Sequence, residues 1–304
     1  MNKIVIIVLA GISSLTLLAK ENVGNTSTSN SQSSLARIAA DCTPSQAKTD
    51  LNINNVRTTI MGAADMWWNL SDARYEIPKN SNKHSMFAGA LWIAGIDAGE
   101  QLKAAAMTYR QTGNDFWTGP LDASGEIDAE TCDEYDKHFV VTRQEVDEFI
   151  AWFNDNDAYP DYSVPLSILN WPGNGVNGDY QFLAPYFDAN DDGEYNPNDG
   201  DYPKYDIEGN LDCNNDDLIY GDQTLYWIFN DKGNIHTETQ GDPIGVEMQT
   251  TAFAFATNDE INDMTFYTTL ITNRGATELN NTYFGQWVDA DLGNYADDYV
   301  GCEV

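Results

Sequence analysis

The sequence predicts a mainly β chain with one or two helices, folded as an antiparallel β-sandwich or jelly-roll-like domain and interrupted by a long insertion rich in Asp, Asn and Gly. Three observations carry that prediction. The C-terminal third holds four segments rich in Thr, Phe, Tyr and Val separated by turn residues, only one stretch combines a helix cap with helical spacing, and the region between them is almost devoid of either pattern. The chain has 304 residues, 42% apolar and 12% aromatic, enough for a substantial core and too apolar for global disorder. Its 48 acidic residues against 15 basic ones give a net charge of −33. Such a surface cannot neutralise phosphates, which excludes nucleic acid and anionic lipid as partners.

Taken in chain order, residues 1–19 open with Lys3 and continue through an uncharged, mostly apolar run to Ala19. This is the pattern of a secretory signal peptide cut near Ala19, and the run is shorter than the roughly 20 residues of a spanning helix. No transmembrane segment is expected once it is removed. Residues 20–41 are dominated by Asn, Ser and Thr and read as a flexible spacer, with too little apolar surface to offset chain entropy. The region 42–160 is expected to be β-rich with one helix. Two strands, 86–96 and 102–110, flank the turn Asp97-Ala98-Gly99-Glu100. Thr142-Arg143-Gln144-Glu145 is a capping box, and behind it Val146, Phe149, Ile150 and Phe153 recur at helical spacing, so a helix spans about 142–154.

Residues 223–304 form a strand region that stands alone or joins 42–160 as one domain. Strands are expected over 225–229, 246–257, 264–273 and 282–288, punctuated by Asp231-Lys232-Gly233-Asn234, Asn258-Asp259 and Asn273-Arg274-Gly275. In the third of these, Phe266, Thr268, Leu270 and Thr272 share one face, and Tyr267, Thr269 and Ile271 the other.

Between helix and strands, 161–222 is the acidic insertion, and an ordered stretch of that length needs something other than a core to hold it. Within it, Asp188, Asn190 and Asp192 place side-chain oxygens at positions one, three and five of a loop, Gly193 stands at six, and Glu194, Asn196 and Asp199 at seven, nine and twelve. Alternate residues of a tightly coiled loop point inward, so these groups can converge on one hard cation, with the Glu194 carbonyl as a further ligand. The loop resembles EF-hand calcium loops. Asp replaces the usual Glu at position twelve, Gly200 and Pro203 would interrupt an exiting helix, and the stretch before the loop is too rich in Gly and Pro for an entering one. The closer resemblance is to the calcium repeats of dockerins and thrombospondin type 3 modules. Twelve acidic residues against Lys204 alone lie between Asp188 and Asp222, a repulsion that cations would relieve. Weaker candidates are Asp212, Asn214 and Asp216, and the set Asp289, Asp291, Asn294, Asp297 and Asp298. The cofactor expected is therefore calcium, one ion and up to three.

Four cysteines, Cys42, Cys132, Cys213 and Cys302, suit two disulfides in an exported chain, with three possible pairings or, alternatively, four unpaired thiols. His84, His138 and His236 are isolated and read as surface or core residues, although His236-Thr237-Glu238 could form half of a metal site. Trp67, Trp68 and Trp117, beside polar or Gly/Pro neighbours, are candidates for stacking on glycans, whereas Trp92, Trp227 and Trp287 read as core.

The runs Ala64-Asp65-Met66-Trp67-Trp68-Asn69, Asn114-Asp115-Phe116-Trp117-Thr118-Gly119-Pro120, Gly200-Asp201-Tyr202-Pro203 and Gly221-Asp222-Gln223 resemble those of large exported proteins of Bacteroidetes that commonly end in a type IX secretion sorting domain. So does the long run from Trp287-Val288-Asp289 to Asp298-Tyr299-Val300-Gly301-Cys302, and the resemblance covers 42–304. Members of that family mostly have no known function, so the resemblance implies a secreted or cell-surface address more than an activity. They usually continue well past such a run, which implies that this chain is the N-terminal part of a longer protein; if it ends at Val304, it stays periplasmic or leaves by another route. The expected function is a calcium-stabilised, non-enzymatic surface or secreted module for adhesion or scaffolding, with glycans or other surface proteins as partners. The alternative is a calcium-dependent protein that binds or degrades polysaccharide.

Overall fold

The computed structural model describes residues 4–8, 40–176, 183–207, 218–298 and 301. In chain order, β1 (Ile4–Val8), β2 (Lys48–Leu51), β3 (Arg57–Met61), β4 (Asp65–Met66), β5 (Tyr75–Glu76), β6 (His84–Asp97), β7 (Leu102–Ala105) and β8 (Trp117–Thr118) precede α1 (Ala129–Glu134), β9 (Phe139–Thr142), α2 (Arg143–Asn154) and α3 (Leu166–Leu169). The short strands β10 (Tyr186–Phe187) and β11 (Tyr202–Pro203) bracket the candidate loop. They are followed by β12 (Gln223–Asn230), β13 (Val246–Ala254), β14 (Phe266–Asn273) and β15 (Leu279–Ala290). One sheet runs β1-β14-β13-β12-β8, with β9 also on β12; the other runs β15-β6-β4-β3-β2, with β5 and β7 attached to β6. The ladders are antiparallel.

Local chemistry accounts for the elements foreseen. At the β6–β7 turn the Asp97 carboxylate accepts from the amides of Gly99 at 2.8 Å and Gln101 at 2.9 Å, and Glu100 takes a left-handed φ of 60°. The capping box of α2 closes both ways, Thr142 Oγ1 accepting from the Glu145 amide and the Glu145 carboxylate from the Thr142 amide. Two further short helices are present, and α1 is capped by the Asp128 side chain accepting from the Thr131 amide at 2.8 Å. Phe153, expected on the apolar face of α2, is 42% exposed.

The two sheets meet over one core. Leu225, Trp227, Phe229, Val246 and Met248 of the first sheet lie in the same buried cluster as Leu51, Ile60, Met66 and Ile93 of the second. Trp227 Nε1 crosses the gap to donate to the Ala63 carbonyl at 3.0 Å. The regions 42–160 and 223–304 thus share a core. Strand β12 is buried on both faces, because Tyr226 and Ile228 point away from that core into a second one, with Val146 of α2 and Trp171, Leu183, Tyr186, Tyr195 and Tyr205.

This second core corrects an expectation. The middle of the chain does not lack packing; its apolar area comes from tyrosine and tryptophan rings whose polar ends are satisfied as they are buried. Tyr195 Oη donates to the Ile168 carbonyl at 2.7 Å, Tyr205 Oη to the Val141 carbonyl at 3.1 Å and Trp171 Nε1 to the Pro185 carbonyl at 3.0 Å.

Cys42 and Cys132 form a disulfide across a Cα separation of 5.8 Å, tying the start of the core to α1. Cys213 and Cys302 lie outside the described residues.

Two measurements test this packing. Trp227→Ala should remove about 3–5 kcal/mol of stability in denaturant titration, since the ring fills the gap between sheets. His138 reports on pH. Its Nε2 faces the Met61 carbonyl at 3.1 Å and must donate, while Nδ1 lies 3.0 Å from Thr49 Oγ1, a hydroxyl able to donate to it in the neutral ring. Burial pushes its pKa down to about 4, against the Met61 hydrogen bond and the Asp136 charge, which favour the proton. The unfolded chain takes up this proton near pH 6.5 and the folded one only near 4, so the contribution is complete above pH 6.5 and is lost as the pH falls between those values. His138→Gln should flatten that part of the stability curve.

Candidate metal centre

The loop 188–199 joins β10 to β11 and is held to the second core from beneath by the buried side chains of Tyr186, Tyr195 and Pro197. It enters from a strand and leaves through one 3-10 turn, Pro197–Asp199, with Gly200 in the left-handed region behind it. A Cβ at Gly200 would meet the Phe153 ring at 2.6 Å, so helix α2 lies directly against the loop exit.

Within the loop the first three candidate ligands converge. The Asp192 amide donates to both Asp188 Oδ1 at 3.2 Å and Asn190 Oδ1 at 3.1 Å, which brings oxygens from positions one and three together around one donor. Asp188 Oδ2 accepts from the Gly193 amide at 2.8 Å, and Asp192 Oδ1 from the Glu194 amide at 2.8 Å. Asn190 Nδ2 donates to Asp192 Oδ2 at 2.8 Å. Gly193, at φ 79°, makes the sharp turn that the spacing demands. Asn196 and Asp199 form a neighbouring pair, Asn196 Nδ2 donating to Asp199 Oδ2 at 2.6 Å.

Electrostatics mark the same convergence. Burial, followed by the charges of Asp188, Asp201, Asp192 and Glu194, pushes the Tyr186 hydroxyl above its ordinary pKa. The donor set consists of oxygens alone, two carboxylates, a side-chain amide and a backbone carbonyl, and such sets suit a hard divalent cation. Among the described residues no three His, Cys, Asp or Glu side chains gather as a metal cluster, so any ion here would draw on Asn and backbone oxygens as well.

Two residues that the spacing argument missed hold the loop in shape. Asp201 is fully buried, and its two oxygens accept from the amides of Ala189 and Asn196, each at 2.8 Å, stapling the loop's entrance to its exit. Asn174 clamps Tyr195 in both directions, accepting from its amide at 2.7 Å and donating to its carbonyl at 3.1 Å. The signal for Asp201 was present in Gly200-Asp201-Tyr202-Pro203, where an acid stands between a glycine and an aromatic beyond the last ligand position. Asn174, fourteen residues before the loop begins, carries no such signal.

The other candidates separate. Asp212, Asn214 and Asp216 lie outside the described residues. Asp289 accepts from Tyr109 Oη at 2.6 Å, and Asp298 from the Leu292 amide at 3.2 Å. Burial and the charges of Asp298 and Asp289 raise the pKa of Asp291, while His84 lowers it, so these four groups share one neighbourhood. Asn294 and Asp297 instead pair within a turn, at 3.4 Å. His236 is not half of a metal site: Nδ1 lies 3.1 Å from the Ala104 carbonyl and Nε2 2.7 Å from that of Asp231, so both ring nitrogens are engaged.

The glycan-stacking candidates are corrected. Trp67, Trp68 and Trp117 are 3%, 1% and 2% exposed, so none presents a face to a sugar. Their polar neighbours suggested a surface, but those neighbours are themselves buried partners: Asp65, fully buried, accepts from Trp68 Nε1 at 2.9 Å and pairs with Arg110. Trp92, expected in the core, is 37% exposed and stacks on Trp287.

Asp201→Ala should cost about 3 kcal/mol whether calcium or EDTA is present, because the amides of Ala189 and Asn196 lose the buried charged acceptor that joins them. Asp188→Ala should cost more in calcium than in EDTA, and paired chemical denaturation curves distinguish the two roles. No family model, curated protein or solved structure matches the chain, so the reading of this centre rests on its own geometry.

Proposed function

We propose that this is an exported, calcium-stabilised β-sandwich module that works by holding shape, as an adhesive or scaffolding part of a larger surface or secreted protein. The observation that carries the reading is the coiled loop in which Asp188 and Asn190 both accept from the Asp192 amide and Asn190 in turn donates to the Asp192 carboxylate, stapled by Asp201. Its carboxylates repel one another until a cation enters, so calcium would be taken up with little rearrangement and would strengthen the loop. Side chains of Asp188, Asn190 and Asp192 and the Glu194 carbonyl would hold the ion, with Asn196 and Asp199 completing the shell.

Export is supported by the leader pattern of 1–19 and by the Cys42–Cys132 disulfide, which suits an oxidising compartment. Among the described residues no helix is long and apolar enough to cross a membrane. The type IX address rests on the resemblance of residues 42–304 alone, and on it the module would belong at the cell surface or outside the cell.

The second reading, calcium-dependent polysaccharide binding, passes from the buried tryptophans to the rings beside the loop. Phe187, 42% exposed, stacks on Tyr202 at 4.8 Å, and the equally exposed Phe153 covers Gly200. A glycan array probed in calcium and in EDTA tests it, and binding that survives Phe187→Ala would count against it.

Thermal melting decides the main reading. The midpoint should rise when EDTA is replaced by millimolar calcium, by an amount equivalent to about 2.7 kcal/mol at a hundredfold excess over Kd, and Asp188→Ala with Asp192→Ala should abolish the rise. An unchanged midpoint, with no cation found by elemental analysis, would remove the basis of the proposal.

A further inference from the structure

Edge strands of a sheet expose rows of unpaired amides and carbonyls, and proteins protect them with charge, proline or bulges. Three strands illustrate the contrast. Strand β2 carries Lys48 and Asp50, and β15 is broken by register shifts between Asn280 and Tyr283 and between Asp289 and Ala290. Strand β14, Phe-Tyr-Thr-Thr-Leu-Ile-Thr-Asn, has no charge and no proline over its eight residues, and its register with β13 is unbroken from Asn273 to Phe266. In this structure its outer side is covered by β1, antiparallel, from Ile4↔Ile271 to Val8↔Tyr267. Strand β1 is Ile-Val-Ile-Ile-Val, and it lies wholly within the segment read as a leader.

An apolar cleft between the sheets is lined by Met248 and Ile271 on one side and by Leu91, Trp92 and Phe284 on the other. A strand added beside β14 sends alternate side chains toward this cleft while its backbone completes the sheet.

We propose that the outer edge of β14, together with this cleft, is a strand-acceptor site, which leader removal uncovers and which an extended, uncharged, β-branched segment of a different polypeptide then occupies. The proposal rests on the reading of 1–19 as a cleaved leader. Strand β1 shows the chemistry the edge takes: a run of Ile and Val in antiparallel register. The chain's charge of −33 opposes a second copy on the same edge and favours a donor with neutral or basic flanks. The added strand gains main-chain hydrogen bonds without needing a particular side-chain code, and the cleft supplies selection for apolar residues at alternate positions.

Hydrogen exchange on the full chain, and on the chain beginning at Lys20, tests the site. In the full chain the outward amides of β14 should be protected. Without the leader they should exchange at least tenfold faster, while those of β12 remain unchanged. A synthetic peptide with Ile-Val-Ile-Ile-Val between lysine flanks should bind saturably and restore protection to β14. The same peptide with proline at its central position should bind at least tenfold more weakly, because it lacks a ladder donor and fixes φ. The proposal is overturned if β14 stays protected without leader or peptide, if the peptide protects no β14 amide, or if the leader-free chain forms a dimer that excess peptide does not dissociate. N-terminal sequencing of the exported chain reports separately on leader cleavage, so failure of that reading and failure of the acceptor site are distinguishable.

Discussion

Burial of β12 on both faces is the constraint on which the rest of the structure depends. Leu225, Trp227 and Phe229 face the second sheet, and Tyr226 and Ile228 face the helix and loops on the other side, so one strand closes two cores. Every residue from Thr224 to Asn230 is buried as a result. The antiparallel partners β13, β9 and β8 take up its backbone groups, and the acidic insertion is positioned because its aromatic residues pack onto the outer face of this strand. Packing of this kind defines where the loop sits; any cation bound there acts on a loop already placed.

Several carboxylates work inside the protein or at its loops. Asp231 is fully buried and accepts from the amides of Ile244, Gly245 and Val246, and Asp115 accepts from those of Ala106, Glu238 and Thr239. Asp136 gathers Ser45 and the amides of Gln46 and Ala47, and Asp201 does the same for the candidate metal loop. A carboxylate offers several acceptor sites on a short stem, which suits irregular loops whose amides have no ladder partner. Desolvation raises the pKa of Asp231, and the neighbouring His236 and the three amides oppose that rise. Most of the acidic residues nevertheless stay outside the core, and 188–199 and the turn after β15 are exposed concentrations of carboxylate.

The candidate metal loop and the β14 edge are physically separate. The loop sits on the helix-covered face of the first sheet, anchored to β12, while the edge lies two strands away along the same sheet. Calcium would add rigidity where the chain is irregular and acidic, and a donated strand would complete hydrogen bonding where it is regular and uncharged. If both proposals hold, the module would be firm in itself and still able to join another polypeptide, as the proposed scaffold role requires.

Sequence alone determined the elements whose physics is local: the capping box at Thr142 and Glu145, the β6–β7 turn at Asp97, the alternation along β14, and the coiling of Asp188, Asn190 and Asp192 around Gly193. Each depends on residues within a few positions of one another, so spacing suffices to reveal it. The tertiary structure decided what depends on distant partners. It buried Trp67 beside Tyr267, whose hydroxyl lies 2.8 Å from the indole nitrogen, and placed Trp68 and Trp117 in the core despite their polar neighbours. It joined Cys42 to Cys132, recruited Asn174 to the loop and gave the middle of the chain an aromatic core of its own. An acidic residue beside a tryptophan looks the same in sequence whether it faces water or a buried amide. Only the fold brings up the donor that makes burial affordable.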